Sequence, residues 1–335
     1  MNVIQLLDKY KFGGGERVAL TYRSTLNEIT VNNKILAYKD DRTADDNVYL
    51  SNSLFEYIKT LFSFVLSSSD SVVLMAHTNK SLVISCFFKV MFLSKIKVVY
   101  IQHLNYDDKR YFMLSNLQVF ISKYIQITPV TKNKLEGLIR KDKVFYFNNY
   151  IKLDTYSNSE GEVAVDVLRS INGRKVITFV GVFREGKNVS HITELIKSLE
   201  SKDYYFFIVG DGVEKDEIDS VIGYENVHYA GYQLNPIKYL EKTDYLFFPS
   251  YEGGDKFGEM MPMTILEALE VGCRVISYDL TVNKYLLPKE NVFEYMNFEE
   301  ITNAIKEDSI KKIENIYGKK YGSVNMKALL NEVCK

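Results

Sequence analysis

The stretch Phe247–Ser277, FFPSYEGGDKFGEMMPMTILEALEVGCRVIS, decides the fold. It reads as an apolar strand, a glycine-bearing polar loop, an amphipathic helix and a second apolar strand. Phe247 and Phe248 end the first strand, and Pro249, Gly253, Gly254 and Gly258 make the loop. Pro262 falls in the first helical turn, where a missing N–H is tolerated. Ile265, Leu266 and Leu269 give the helix one apolar face, and Gly272 ends it as a left-handed cap. Arg274 to Ser277 is the next strand. Two carboxylates sit in this frame: Glu259 in the loop and Glu267 on the helix, with seven residues between them. Alone they would read as solvated charges. Beside a helix N-terminus, whose free N–H groups and positive dipole end favour anions, they become functional candidates.

Outward from this stretch, 335 residues predict two domains of ordinary size. Hydrophobic residues at 46% and charged residues at 25% are ordinary soluble composition. Lys+Arg 42 against Asp+Glu 43 gives a net charge of −1, and no basic, aromatic surface pattern of a nucleic-acid binder is present. Cys86, Cys273 and Cys334 are scattered, without metal or CxxC spacing, which fits a reducing compartment. The opening MNVIQLLDKYKFGGGERV lacks the apolar core and cleavage site of a signal peptide. The apolar run from Leu82 to Leu93 is broken by Lys89 and is too short to span a bilayer.

Along the chain, strands expected at Val3–Leu7, Lys34–Tyr38, Ser71–Ala76, Lys97–Ile101, Tyr124–Thr131 and Lys143–Asn149 alternate with helical patterns at Leu54–Leu66 and Lys132–Ile139. The first strand runs into Gly13, Gly14 and Gly15, with a helix opening at Val18. Strand, glycine loop and helix is how a nucleotide-binding fold begins, although neither GxGxxG nor a P-loop is present. His77 and His103 both follow parallel-strand patterns, at the carboxyl ends where open α/β sheets place ligands. Residues 151 to about 172 read as an interdomain connection. Beyond them, Lys175–Val180 leads into Gly181-Val182-Phe183-Arg184-Glu185-Gly186-Lys187, then a helix from His191 to Leu199. Tyr204–Val209 ends at Gly210-Asp211-Gly212 and Val227–Ala230 at Gly231-Tyr232, a helix is expected at Glu299–Lys306, and residues 307–335 are rich in lysine and helix-forming.

These segments, in this order, resemble the retaining nucleotide-sugar enzymes of glycosyltransferase family four. The family's Glu–seven residues–Glu signature stands here as Glu259-Met-Met-Pro-Met-Thr-Ile-Leu-Glu267-Ala268, with Met260 and Arg274 where a glycine and a proline are common. The Gly13–Arg17 segment is similar to the family's acceptor-side loop, and His103 to its histidine beside the transferred sugar. Gly181 to Asn188 is similar to its phosphate-binding loop, although Val182 stands where the family has arginine.

The resemblance implies an α/β, GT-B fold: two doubly wound Rossmann-like domains facing across a cleft. Residues 1–160 would bind the acceptor and 161–320 the nucleotide-sugar, with 321–335 a helix packing back on the first domain. It implies catalytic roles for Glu259, His103, Lys187 and Arg184, and donor binding by Glu267, Gly181, Gly210, Tyr232, Met263 and Thr264. Gly13, Gly14 and Gly15 would close over phosphates and acceptor. The implied partners are a UDP- or GDP-sugar and a glycan or lipid-linked acceptor, in surface polysaccharide synthesis. The enzyme would be cytoplasmic and touch the inner face of the cell membrane through Lys109–Tyr124 and Lys311–Lys320. No cofactor is expected, and no metal, since no Asp-x-Asp occurs. Two other functions fit the same residues: a sugar-nucleotide epimerase, and a catalytically inactive partner subunit of this fold.

Overall fold

The computed structural model describes residues 1–9, 14–38, 48–103, 108–131, 137–153, 162–251, 259–314 and 316–334. Gly13, Gly253, Gly254, Gly258, the start of the helix expected from Lys132 and most of the polar connection at 157–162 lie outside the described residues. The chain divides into two compact units. One holds Met1–Thr155, Phe257–Met261 and Tyr317–Lys335; the other holds Tyr156–Lys256 and Pro262–Ile316.

The first unit is a parallel sheet of β1 (Asn2–Lys9), β2 (Asn32–Tyr38), β3 (Val48–Ser51), β4 (Val72–Ala76), β5 (Ile96–Gln102), β6 (Ile121–Gln126) and β7 (Val144–Tyr146), in the order β3-β2-β1-β4-β5-β6-β7. The helices among its described residues are α1 (Gly14–Glu28), α2 (Leu54–Ser67), α3 (Asn79–Phe92) and α4 (Asp108–Leu117). Every residue of β4 is buried, the near-continuous apolar run expected of a strand covered on both faces. Tyr57, Leu61 and Val65 recur on one face of α2 and join β1, β4 and β5 in a single core. Each such fully buried side chain contributes roughly 1.5–3 kcal/mol.

Helix caps place the strand ends. Thr78 accepts from the Ser81 N–H at 3.1 Å, and the Ser81 hydroxyl accepts from the Thr78 N–H at 3.0 Å. This reciprocal box starts α3 immediately after His77 and fixes that residue at the carboxyl end of β4.

The second unit contains α5 (Val165–Ile171), β8 (Lys175–Val180), α6 (Ser190–Ser198), β9 (Tyr204–Val209), β10 (Val227–Gly231), α7 (Ile237–Leu240), β11 (Tyr245–Phe248), α8 (Met263–Glu270), β12 (Arg274–Tyr278), α9 (Thr281–Leu286), β13 (Val292–Phe293) and α10 (Phe298–Lys306). Its strands are also parallel, ordered β10-β9-β8-β11-β12-β13. In both sheets the strand order reverses beside the first strand, between β1 and β4 and between β8 and β11. Those are the switch points where such sheets open a crevice at their carboxyl ends. A final helix, α11 (Ile316–Cys334), belongs almost wholly to the first unit. There Met326, Leu329, Leu330 and Val333 are buried, and Lys97 and Lys123 bond the Val333 carbonyl and the Glu332 carboxylate.

Several boundaries differ from the sequence reading. Helix α1 starts at Gly14, not Val18, so Gly14 and Gly15 are its first turn; Glu16 in that turn complements the dipole. Strand β6 ends at Gln126, because Thr128 Oγ1 accepts from the Val130 N–H at 3.2 Å and turns the chain into a short 3₁₀ helix at Pro129–Thr131. Pro262 is the residue before α8, with an extended ψ of 113°, not a residue of its first turn. The short strands β3 and β13 and helices α3, α4 and α9 were not foreseen.

Candidate functional site

In the second unit, the carboxyl ends of three strands are drawn together by glycines. Gly210 has φ +143°, and a Cβ there would lie 1.8 Å from the Gly181 carbonyl oxygen, so only glycine fits. The Gly181 N–H donates to Val209 O at 3.0 Å and the Gly210 N–H to Gly231 O at 2.8 Å. Gly181, Gly210 and the residue before Tyr232 thus line one edge of the sheet. Tyr232 follows directly and is half-buried.

The loop after β8 is fastened to the loop after β11. Asn188 Nδ2 donates to the Pro249 carbonyl at 2.6 Å, and the Tyr251 N–H donates to Gly186 O at 3.1 Å. Lys187 Nζ donates to Ser250 Oγ at 3.1 Å and lies 5.0 Å from the Phe248 ring centroid. A half-buried ammonium is therefore held at the β8–β11 switch point. Arg184 is exposed, and its Nη1 donates to the Glu185 carbonyl at 3.0 Å. Val182, in the position of the absent arginine, is 55% exposed, while Phe183 beside it is buried in the core.

Helix α8 brings Met263, Thr264 and Glu267 into the same unit. Glu267 is 0% exposed, in company with the buried Ile265, Leu266, Ala268 and Leu269. A carboxylate placed there is a costly feature that the fold must satisfy. The helix ends in a paired C-terminal cap: Cys273 N–H donates to Ala268 O at 2.9 Å and Gly272 N–H to Leu269 O at 3.2 Å, with Gly272 at φ +83°. Glu259 is half-buried and falls within the segment Phe257–Met261 that groups with the first unit. The two glutamates of the sequence pattern therefore belong to different units.

In the first unit, Gly15, His77 and His103 come together. A Cβ on Gly15 would lie 3.8 Å from His103 Cδ2. His77 Nδ1 and His103 Nε2 are 2.9 Å apart, and His77 Nε2 lies 3.1 Å from Gln5 Oε1. Burial pushes the His77 imidazole pKa well below its ordinary value, helped by the neighbouring His103, and burial lowers His103 to about 4. Both rings are neutral at pH 7. Gln5, Ser250, Phe248 and Asn188 were not among the expected site residues, although Phe248 and Asn188 lie in the strand end and loop that the sequence singled out and Gln5 is a lone amide inside the apolar run Val3–Leu7.

Two surface depressions of about 540 and 370 Å³ lie elsewhere, beside β13 and α10, and contain none of these residues. Among the described residues no helix is long and apolar enough to cross a membrane.

Residues 164–307 match the family model described as glycosyl transferases group 1. No curated protein matches the chain. Solved structures resemble it over its whole length. HepE from Anabaena in complex with UDP-glucose is 14% identical, with a TM-score of 0.74 over 99% of this chain and 98% of that one. Sucrose-phosphate synthase from Thermosynechococcus elongatus is 12% identical, with a TM-score of 0.68 over 100% and 96%. A variant of TarM from S. aureus, in complex with fondaparinux, alpha-GlcNAc-glycerol and UDP, is 12% identical, with a TM-score of 0.68 over 100% of both chains. This likeness establishes the GT-B fold, and the stretch that matches the group 1 model, residues 164–307, lies almost wholly within the second unit.

Proposed function

We propose that the protein is a retaining, metal-independent glycosyltransferase that moves a sugar from a UDP-sugar to a glycan or lipid-linked glycan. The observation that carries this reading is Lys187, an ammonium held by Ser250 at the switch point of a unit whose sequence matches glycosyl transferases group 1. UDP as the donor nucleotide is supported by the ligands of HepE and TarM.

When the glycosidic C–O bond breaks, negative charge builds on the leaving diphosphate. Lys187, with Arg184 and the N–H groups opening α8 around Met263 and Thr264, would stabilise that charge. Glu267 would accept hydrogen bonds from the nucleotide ribose. Gly181, Gly210 and Tyr232 would let the backbone approach phosphate and base. Glu259 would bind sugar hydroxyls and balance positive charge at the anomeric carbon. His103 would contact the sugar, and Gly14 and Gly15 would flank it. The acceptor hydroxyl would attack from the face the diphosphate leaves, giving its proton to the departing phosphate. A peripheral site on an anionic membrane would suit a lipid-linked acceptor.

Thermal unfolding against a panel of nucleotide-sugars tests this, because a ligand that binds only the folded state raises its stability. The expected result is a shift with one UDP-sugar, unchanged by EDTA and lost in Glu267→Ala. Val182 favours a second reading, an inactive partner subunit, which gains if no nucleotide or nucleotide-sugar moves the transition.

A further inference from the structure

A chain of hydrogen bonds crosses the carboxyl ends of β1, β4 and β5, and its direction follows from its far end. The Ala19 carbonyl in α1 can only accept, so Gln5 Nε2 donates to it at 3.0 Å. This turns Gln5 Oε1 toward His77. That oxygen also only accepts, so His77 Nε2 carries a proton across the 3.1 Å contact. Among the described residues no carboxylate partners this ring, and a buried imidazole without one stays neutral, so His77 Nδ1 is bare. The two rings are parallel within 7°, with centroids 5.1 Å apart. That separation matches one N–H···N bond of 2.9 Å joining two rings edge to edge. His103 Nε2 is therefore the donor. Its Nδ1 is left as a lone pair with no partner among the described residues. Gly15 lies along the Cγ–Cδ2 side of that ring, where a Cβ would stand 4.0 and 3.8 Å away.

We propose that His77 is a positioning residue which, aligned by Gln5, fixes the proton of His103 on Nε2, making His103 Nδ1 an obligate hydrogen-bond acceptor that selects a sugar hydroxyl. A hydroxyl can donate to that lone pair, whereas a phosphate or carboxylate oxygen meets a repelling neighbour. That the hydroxyl belongs to the donor sugar rests on the glycosyltransferase reading. The state of the two rings does not.

The chain has four histidines, so ¹⁵N-histidine labelling gives eight ring nitrogens, assignable by single His→Gln substitutions. In the unliganded protein at pH 7, His103 Nε2 should be protonated and Nδ1 unprotonated. A ¹⁵N–¹⁵N coupling should cross from His103 Nε2 to His77 Nδ1. Gln5→Glu should invert the chain. Its carboxylate stabilises a His77 imidazolium, whose Nδ1–H then donates to His103 Nε2 and moves the His103 proton to Nδ1. His77→Asn should keep the wild-type state of His103 through its amide oxygen, and His77→Phe should lose it. A protonated His103 Nδ1 in the wild-type protein, or a His103 unchanged in both Gln5→Glu and His77→Phe, overturns the positioning role. Saturating UDP-glucose should shift the His103 Nδ1 resonance, and UDP alone should not. Thermal stabilisation by UDP-glucose with that resonance unmoved overturns the hydroxyl assignment. Absence of stabilisation by every UDP-sugar of the panel counts against the glycosyltransferase reading alone, since the unliganded spectra still decide the role of His77.

Discussion

Two imidazoles held neutral side by side make the end of the first sheet sensitive to acid. Unfolded, His77 and His103 would each take up a proton near pH 6.5; folded, both resist it, His103 down to about 4. Their contribution is intact above pH 6.5 and is lost as pH falls from there toward 4. His103 alone should account for about 2 kcal/mol at pH 5. Urea midpoints measured from pH 7.5 to 5 should fall steeply in the wild-type protein and less in His77→Asn/His103→Asn. Lys187 supports a different expectation. Lys187→Met removes a cation from Ser250 without opening the core, so stability should barely change while UDP affinity, read by calorimetry, falls about ten- to a hundredfold. The two cases also differ in how well the sequence announced them. Lys187 was legible because its place is local, six residues after the glycine that ends a strand. Both histidines were placed at strand ends, but their contact was not legible, because His77 meets Gln5 across 72 residues and His103 across 26, distances over which only the strand order decides what touches.

At the scale of elements, close approach at the glycines sets the tolerance for change. Gly210→Ala must move the Gly181 carbonyl or break the β8–β9 edge, and it also strains a φ of +143°. A loss on the order of 3 kcal/mol or more in chemical denaturation is expected. Gly272 is milder. Its φ of +83° strains an alanine, but its surroundings can give, since a Cβ would meet only the Lys312 side chain, so Gly272→Ala should cost about 1 kcal/mol. The strands with long apolar runs were readable for a physical reason: both faces of each parallel sheet are covered, so periodicity gives way to continuous hydrophobicity. The misjudged elements are those where that signal is absent. Four-residue β3 and two-residue β13 are too short to show a pattern. The end of β6 was overrun because Ile127 and Val130 look like strand residues, while the Thr128 hydroxyl and Pro129 stop the ladder.

Across the whole molecule, the first unit is assembled from three separated segments of chain. Helix α11 brings Met326, Leu329, Leu330 and Val333 into burial there, worth roughly 6–12 kcal/mol together before ordering costs. Gly322 sits so tightly under Tyr150 that a Cβ would come within 2.8 Å of its ring. A protein ending at residue 315 should therefore lose its first unit selectively. Tyr22 and Tyr150 report on that unit, as their rings lie parallel with centroids 6.2 Å apart in its interior. Near-ultraviolet signals from these tyrosines should weaken, while the second unit keeps its cooperative melting transition. Intact near-ultraviolet signals in the truncated protein would show that α11 is dispensable. The same arrangement sets a schedule during synthesis. The second unit has all its residues by Ile316, but the first, begun earlier, must wait for the last helix to leave the ribosome. At about 5–20 residues per second, the opening 155 residues stay unfinished for roughly ten to thirty seconds while the rest is made. The half translated first is thus the half completed last, and it is the one a nascent-chain chaperone would need to guard.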